Sequence, residues 1–180
     1  MLNLVRCFLI SCLVSCSSTL LAAEEYPEMK WETLMPETTG VKTPLEQAMP
    51  MHYIANMNED LLPTEIAIKL KKMQPSGSVR DDLNGKLVKI AGFTVPLQSN
   101  EEGDLTEFFL VPFVGACIHV PPPPTNQIIH VIYPEGYKLK MLSQPIWVYG
   151  KLKTQNTQSE IADAGYEISA ENIEDYSGWY

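Results

Sequence analysis

From Leu83 to the C-terminus, apolar and polar residues alternate with a period of two, the pattern of half-buried strands. Five stretches carry it: Lys86–Phe93 (KLVKIAGF), Glu107–Val120, Gln127–Tyr133 (QIIHVIY), Pro145–Leu152 (PIWVYGKL) and Tyr166–Ile173 (YEISAENI). The second is nearly continuous in apolar content, broken by Pro112 and Gly115. Gly92 and Gly150 fall near strand ends, where a strand bends sharply around a barrel. Short strands separated by turn residues predict a mainly β fold, a small OB-like Greek-key barrel, with another small β-barrel as the alternative. Phe108, Phe109, Phe113, Trp147 and Tyr149 are expected as barrel core rather than as a stacking platform.

Ahead of the strands, one segment has helical spacing. Thr64 follows Pro63 and can cap a helix whose apolar positions are Ile66, Ile68, Leu70 and Met73. Lys69, Lys71 and Lys72 lie near its end, where the helix dipole favours cations. Pro75-Ser76-Gly77 stops it, so a short helix is predicted over Thr64–Gln74. Residues 24–58 carry prolines at 27, 36, 44 and 50 and no sustained period. They read as an extended arm, pinned to the domain by Trp31 and Leu34. The barrel domain with its helix then spans 59–180.

Residues 1–23 read as an address. Arg6 is followed by an apolar run, Cys7-Phe8-Leu9-Ile10-Ser11-Cys12-Leu13-Val14, and by small residues up to Ala22-Ala23. This is the pattern of a bacterial secretory signal peptide. Two cleavage readings compete. Leu13-Val14-Ser15-Cys16 fits a lipobox, which would leave Cys16 as the lipidated first residue. Cutting after Ala22 or Ala23 fits an ordinary signal peptidase. The expected location is the periplasm, with attachment to the outer membrane if Cys16 is lipidated.

Charge and cysteine content narrow the function. The 180 residues hold 13 basic and 22 acidic side chains, a net charge of −9, and losing the leader removes Arg6 alone, giving −10. An acidic chain gains little from releasing phosphate counterions, so nucleic acid is not an expected partner. Beyond the leader, no apolar run approaches the ~20 residues needed to span a bilayer. Three of the four cysteines lie in the leader, leaving Cys117. A single thiol closes no internal disulfide. It is buried and inert, bound to a metal, or paired with another chain.

Cys117 stands in the least ordinary segment, VGACIHVPPPPTNQ, residues 114–127. Pro121, Pro122, Pro123 and Pro124 fix φ and remove four backbone donors, so this stretch cannot sit inside a sheet. It should form a stiff polyproline-II loop: either a rigid turn or, with Asn126 and Gln127, a docking surface for a partner. Cys117 and His119 are two apart, hence on one face of a strand. If the loop closes symmetrically, the returning strand brings Asn126, Ile128 and His130 to that face. Cys117, His119 and His130 then form an N/S set suited to zinc, with Asn126 or water as fourth ligand. The competing reading is a buried structural thiol beside a hydrogen-bonded histidine. Met49-Pro50-Met51-His52 with Met57 is a lesser candidate, for copper, though methionines are commoner as core filler. Glu171, Glu174 and Asp175 read as a solvated acidic face.

WETLMP at Trp31–Pro36, NGK at Asn84–Lys86 leading to GFTVPL at Gly92–Leu97, and above all GACIHVPPPPTNQ at Gly115–Gln127 resemble an uncharacterised bacterial family of exported proteins. It is classed as a domain of unknown function, and the resemblance runs from Trp31 to the C-terminus. What it implies is context: members are often encoded beside ABC-transporter components, some in zinc-responsive clusters. It supplies no catalytic residue, and it directs attention to Cys117, His119, Asn126 and Gln127.

The leading expectation is an exported accessory protein of the cell envelope, binding zinc and acting with an ABC-type transporter. The alternative is a metal-free interaction module that docks an envelope protein through its proline loop. A thiol-dependent enzyme ranks third, because the Cys117–His119 pair has no helix N-terminus to lower the thiol pKa and no residue at a motif-like spacing to orient the histidine.

Overall fold

Five strands, β1 (Leu87–Ser99), β2 (Leu105–Val111), β3 (Ile129–Tyr137), β4 (Ile146–Gln158) and β5 (Asp163–Asp175), close on themselves in the order β1-β2-β3-β5-β4. Neighbours are antiparallel except β3 and β5, which run parallel. This is the five-stranded Greek-key barrel expected from the alternation. The computed structural model describes residues 25–36, 68, 71, 72, 74–116 and 122–177.

Alternation decides which side chains enter the barrel. Val88, Ile90, Phe108, Leu110, Ile129, Val131, Val148, Leu152, Tyr166 and Ile168 point inward and are buried in one cluster. Phe93, Val95, Phe109 and Val111 point outward on β1 and β2, where they form a second buried cluster with Ala116, Ile128, Ala162 and Ala164. The expected aromatic core is thus divided: Phe108 and Phe109 are fully buried on opposite faces, while Trp147 and Tyr149 lie half-exposed outside, with the Lys89 ammonium over both rings.

Close approach explains two glycines. A Cβ at Gly92 would come within 2.8 Å of the Leu110 side chain and the Val111 carbonyl. At Gly150, beside a register shift in the β4–β5 pairing, it would run into the Ser169 carbonyl. Both lie inside their strands and not near the ends that the sequence had suggested; glycine is needed there because the neighbouring strand approaches closely.

Strand limits follow the prolines less simply. β1 continues to Ser99 through Pro96, beside a register shift. β2 stops at Val111, because Pro112 has no N–H to continue the ladder.

The N-terminal arm seals one barrel end. Met29 N–H donates to Lys89 O at 2.8 Å, and Lys89 N–H donates to Pro27 O at 3.0 Å, adding a short parallel bridge to β1. Trp31 Nε1 donates to Ala91 O at 2.7 Å. Leu34, in the 3-10 turn Trp31–Leu34, is fully buried, and burying one such side chain stabilises by about 1.5–3 kcal/mol. Tyr166 fixes this plug from the barrel wall: its hydroxyl donates to Leu34 O (2.8 Å) and accepts from Arg80 N–H (2.6 Å).

Of the helix predicted over Thr64–Gln74, Ile68 and Lys71 are described and helical, and Lys72 N–H donates to Ile68 O. Gln74 lies outside any helix, and its side chain serves another purpose described below. Residues 1–24, including Cys16, and the Met49–Met57 group lie outside the described residues. No helix among the described residues is long and apolar enough to cross a membrane.

Candidate functional site: a buried histidine and the loop before it

The described end of the conspicuous loop is buried. Cys117, His119 and Pro121 lie outside the described residues, and Pro122, Pro123 and Pro124 are buried. Behind them Thr125, Asn126 and Gln127 form a 3-10 turn whose side chains stitch distant segments to the barrel. The Thr125 hydroxyl accepts from Gly77 N–H at 2.9 Å and donates to Gly77 O at 3.0 Å. Asn126 Nδ2 donates to Ser78 O at 2.8 Å, and Gln127 Nε2 donates to Trp31 O at 3.0 Å. A Cβ at Gly77 would overlap the Asn126 amide, so this stitch needs glycine. Asn126 and Gln127, candidates for a binding loop in the sequence, are both buried.

His130 occupies the strand leaving this turn. Cross-strand partners form one row around the outside of the barrel: Val95, Phe109, His130, Glu167 and Lys153. The row begins apolar and ends charged, and His130 marks the change. His130 Nε2 lies 2.6 Å from Glu107 Oε1, and the Phe109 ring meets the imidazole edge-on at 5.9 Å. A carboxylate only accepts, so Nε2 donates. Nδ1 is buried without a hydrogen-bond partner, and Glu167 Oε2 lies 3.7 Å from it.

Glu167 is itself buried, 5% exposed, and is held by Lys153 Nζ at 3.0 Å and Gln155 Nε2 at 2.9 Å. Burying a carboxylate and an imidazole on an outer barrel face is expensive unless they are bonded, and one nitrogen here is not. Among the described residues, no three His, Cys, Asp or Glu side chains converge to hold a metal ion. The structure therefore places one member of the expected zinc set, His130, beside two carboxylates that the sequence did not single out. The signal for them was present: Glu107 stands directly before the buried apolar run Phe108–Val111, and Glu167 is the one charged residue inside the buried run Ala164–Ile168.

Elsewhere the acidic face is ordered through tyrosines. Tyr26, Tyr149 and Tyr137 donate to Glu171, Glu174 and Asp175. Lys140 and then Tyr137 hold the Asp175 carboxyl below its usual range, while burial, followed by Asp175, drives the Tyr137 phenol well above its own.

Comparison with known proteins agrees with this fold. A crystal structure, at 2.45 Å, of a DUF3299 family protein from Pseudomonas aeruginosa PAO1 matches with a TM-score of 0.71 and 37% identity, over 86% of this chain and 98% of that one. A small single-stranded DNA-binding protein from Streptomyces coelicolor matches at a TM-score of 0.30 and 12% identity, over 52% of this chain and 96% of its own, too weak a likeness to carry an argument. No curated protein matches significantly. The family model described as "Protein of unknown function (DUF3299)" matches residues 31–175, and the chain belongs to that family.

Proposed function

We propose that this protein is an exported accessory protein of the cell envelope that binds a transition metal ion, zinc by its donor chemistry, and acts beside an ABC-type transporter. His130 supplies one ligand and the preceding loop supplies Cys117 and His119. The observation that carries the reading is His130 Nδ1, a buried nitrogen with no partner on a ring whose other nitrogen is bonded to Glu107. Metal-ligating histidines characteristically give their second nitrogen to a carboxylate, which fixes tautomer and ring orientation. An imidazole and a thiolate suit zinc, and a carboxylate at the distance of Glu167 can complete the set. Export is supported by the leader over 1–23, and the transporter by the context that the family resemblance implies. Docking through Pro121, Pro122, Pro123 and Pro124 has less behind it, since the last three are buried.

The test is elemental analysis of protein purified from the periplasm. Near-stoichiometric zinc is expected, falling sharply in Cys117→Ala, His119→Ala and His130→Ala while circular dichroism still reports the barrel. A folded wild-type protein that neither carries nor takes up zinc overturns the metal reading. Mass spectrometry of the mature N-terminus separates lipidation at Cys16 from cleavage after Ala22 or Ala23. Crosslinking in the envelope that captures no transporter component removes the transporter part.

A further inference from the structure

A polar cleft of about 630 Å³ opens between the coil 74–81 and the end of the β4–β5 hairpin. Its size is within the range of ~300–1,000 Å³ usual for small-molecule sites. We infer that it binds a small neutral polyhydroxylated ligand, a saccharide. This does not depend on the metal reading.

The wall is pre-built. The Gln74 amide pairs with Asp163 as a strand residue would: Asp163 N–H donates to Gln74 Oε1 at 2.8 Å, and Gln74 Nε2 donates to Asp163 O at 2.7 Å. The same Nε2 lies 3.1 Å from Pro123 O, tying the wall to the proline loop. Thr125 holds Gly77 by two hydrogen bonds. Little ordering is left for a ligand to impose, which removes a main cost of binding.

The rim, by contrast, is unspent. Ser76, Ser78, Thr154 and Asn156 line the cleft, and among the described residues their side chains have no hydrogen-bond partner. Each offers both a donor and an acceptor, the complement of a sugar hydroxyl.

Charge excludes the common alternatives. Lys71 is paired with Asp163 at 3.1 Å, and among the described residues Asp81 on the rim is in no ion pair, so a phosphate, sulfate or carboxylate would meet a described lining that is net negative. Among the described lining residues none is aromatic and Val79 is the one sizeable apolar side chain, which disfavours nucleobases and lipids.

Saturation-transfer NMR on the full mature chain tests the site, using N,N′-diacetylchitobiose, cellobiose and maltose as neutral probes and inorganic phosphate as the anionic one. At least one disaccharide should bind. Asn156→Ala should weaken it about five-fold, the effect of one lost hydrogen bond. Ser76→Trp, at an exposed position, should fill the cleft and abolish binding while the metal content stays as in the wild type. Failure of all three sugars overturns the inference, as does binding indifferent to Ser76→Trp. Phosphate binding more tightly than every sugar overturns the ligand class.

Discussion

The inside of the barrel and the outer row that runs from Val95 through Phe109 and His130 to Glu167 are buried to a similar degree, yet they are built on opposite principles. Inside, Phe108, Leu110, Ile129, Val131, Leu152 and Ile168 are all fully buried and wholly apolar. Outside, the neighbouring row carries His130 and Glu167, both 5% exposed, with Glu107 beside them. An apolar interior gains free energy from burial itself. A buried ionic set at best offsets its own desolvation, and replacing it with apolar residues is commonly neutral or stabilising. The interior is what folds this chain. The outer row is where retaining polar groups calls for a purpose other than stability.

The largest expected effect lies inside. Phe108→Ala should cost about 3–5 kcal/mol, read as a fall in the urea midpoint at unchanged slope. Next in size, and of opposite sign, is replacement of Glu107, His130 and Glu167 together by leucine. Lys153, 43% exposed at its side chain, stays hydrated, so the triple variant should match the wild type or exceed its stability by about 1–4 kcal/mol while losing any bound metal. A triple variant that unfolds would show that the row is structural, and the contrast would fail.

Tyr166→Phe tests the seam between arm and barrel. It removes both the donor to Leu34 O and the hydroxyl that accepts from Arg80 N–H, at a cost of about 1–3 kcal/mol. Burial raises the Tyr166 phenol above its ordinary 10.0, so the folded protein favours the neutral form. That contribution is complete below pH 10 and is lost as the pH climbs through the raised value, so urea midpoints on either side of pH 10 should fall less in the phenylalanine variant. The smallest effect belongs to the aromatic surface: Tyr149→Phe, which removes an exposed bond to Glu174, should stay within about 0.5 kcal/mol of the wild type.

The same contrast explains what the sequence disclosed. Strands such as KLVKIAGF and QIIHVIY announce themselves because burial on one face imposes a period of two on nearby residues. Trp31 and Leu34 stood out as apolar anchors in an aperiodic arm, and both pin it as expected. Trp147 and Tyr149 misled, because half-exposed rings under Lys89 share the composition of core. The polar site depends on register between strands far apart in sequence, and no local pattern encodes which glutamate will face His130. Likewise, the partners of Thr125, Asn126 and Gln127 (Gly77, Ser78 and Trp31) lie far upstream, so the segment's chemistry was visible and its stitching was not.

The order of the strands also governs when the barrel can close. β5, last to emerge from the ribosome, fills the gap between β3 and β4. Until Asp163–Asp175 arrives, both of those strands have an open edge and the inner core lacks Tyr166 and Ile168. Barrel closure therefore waits for β5, and a chain interrupted before it would present two unpaired edges to other chains.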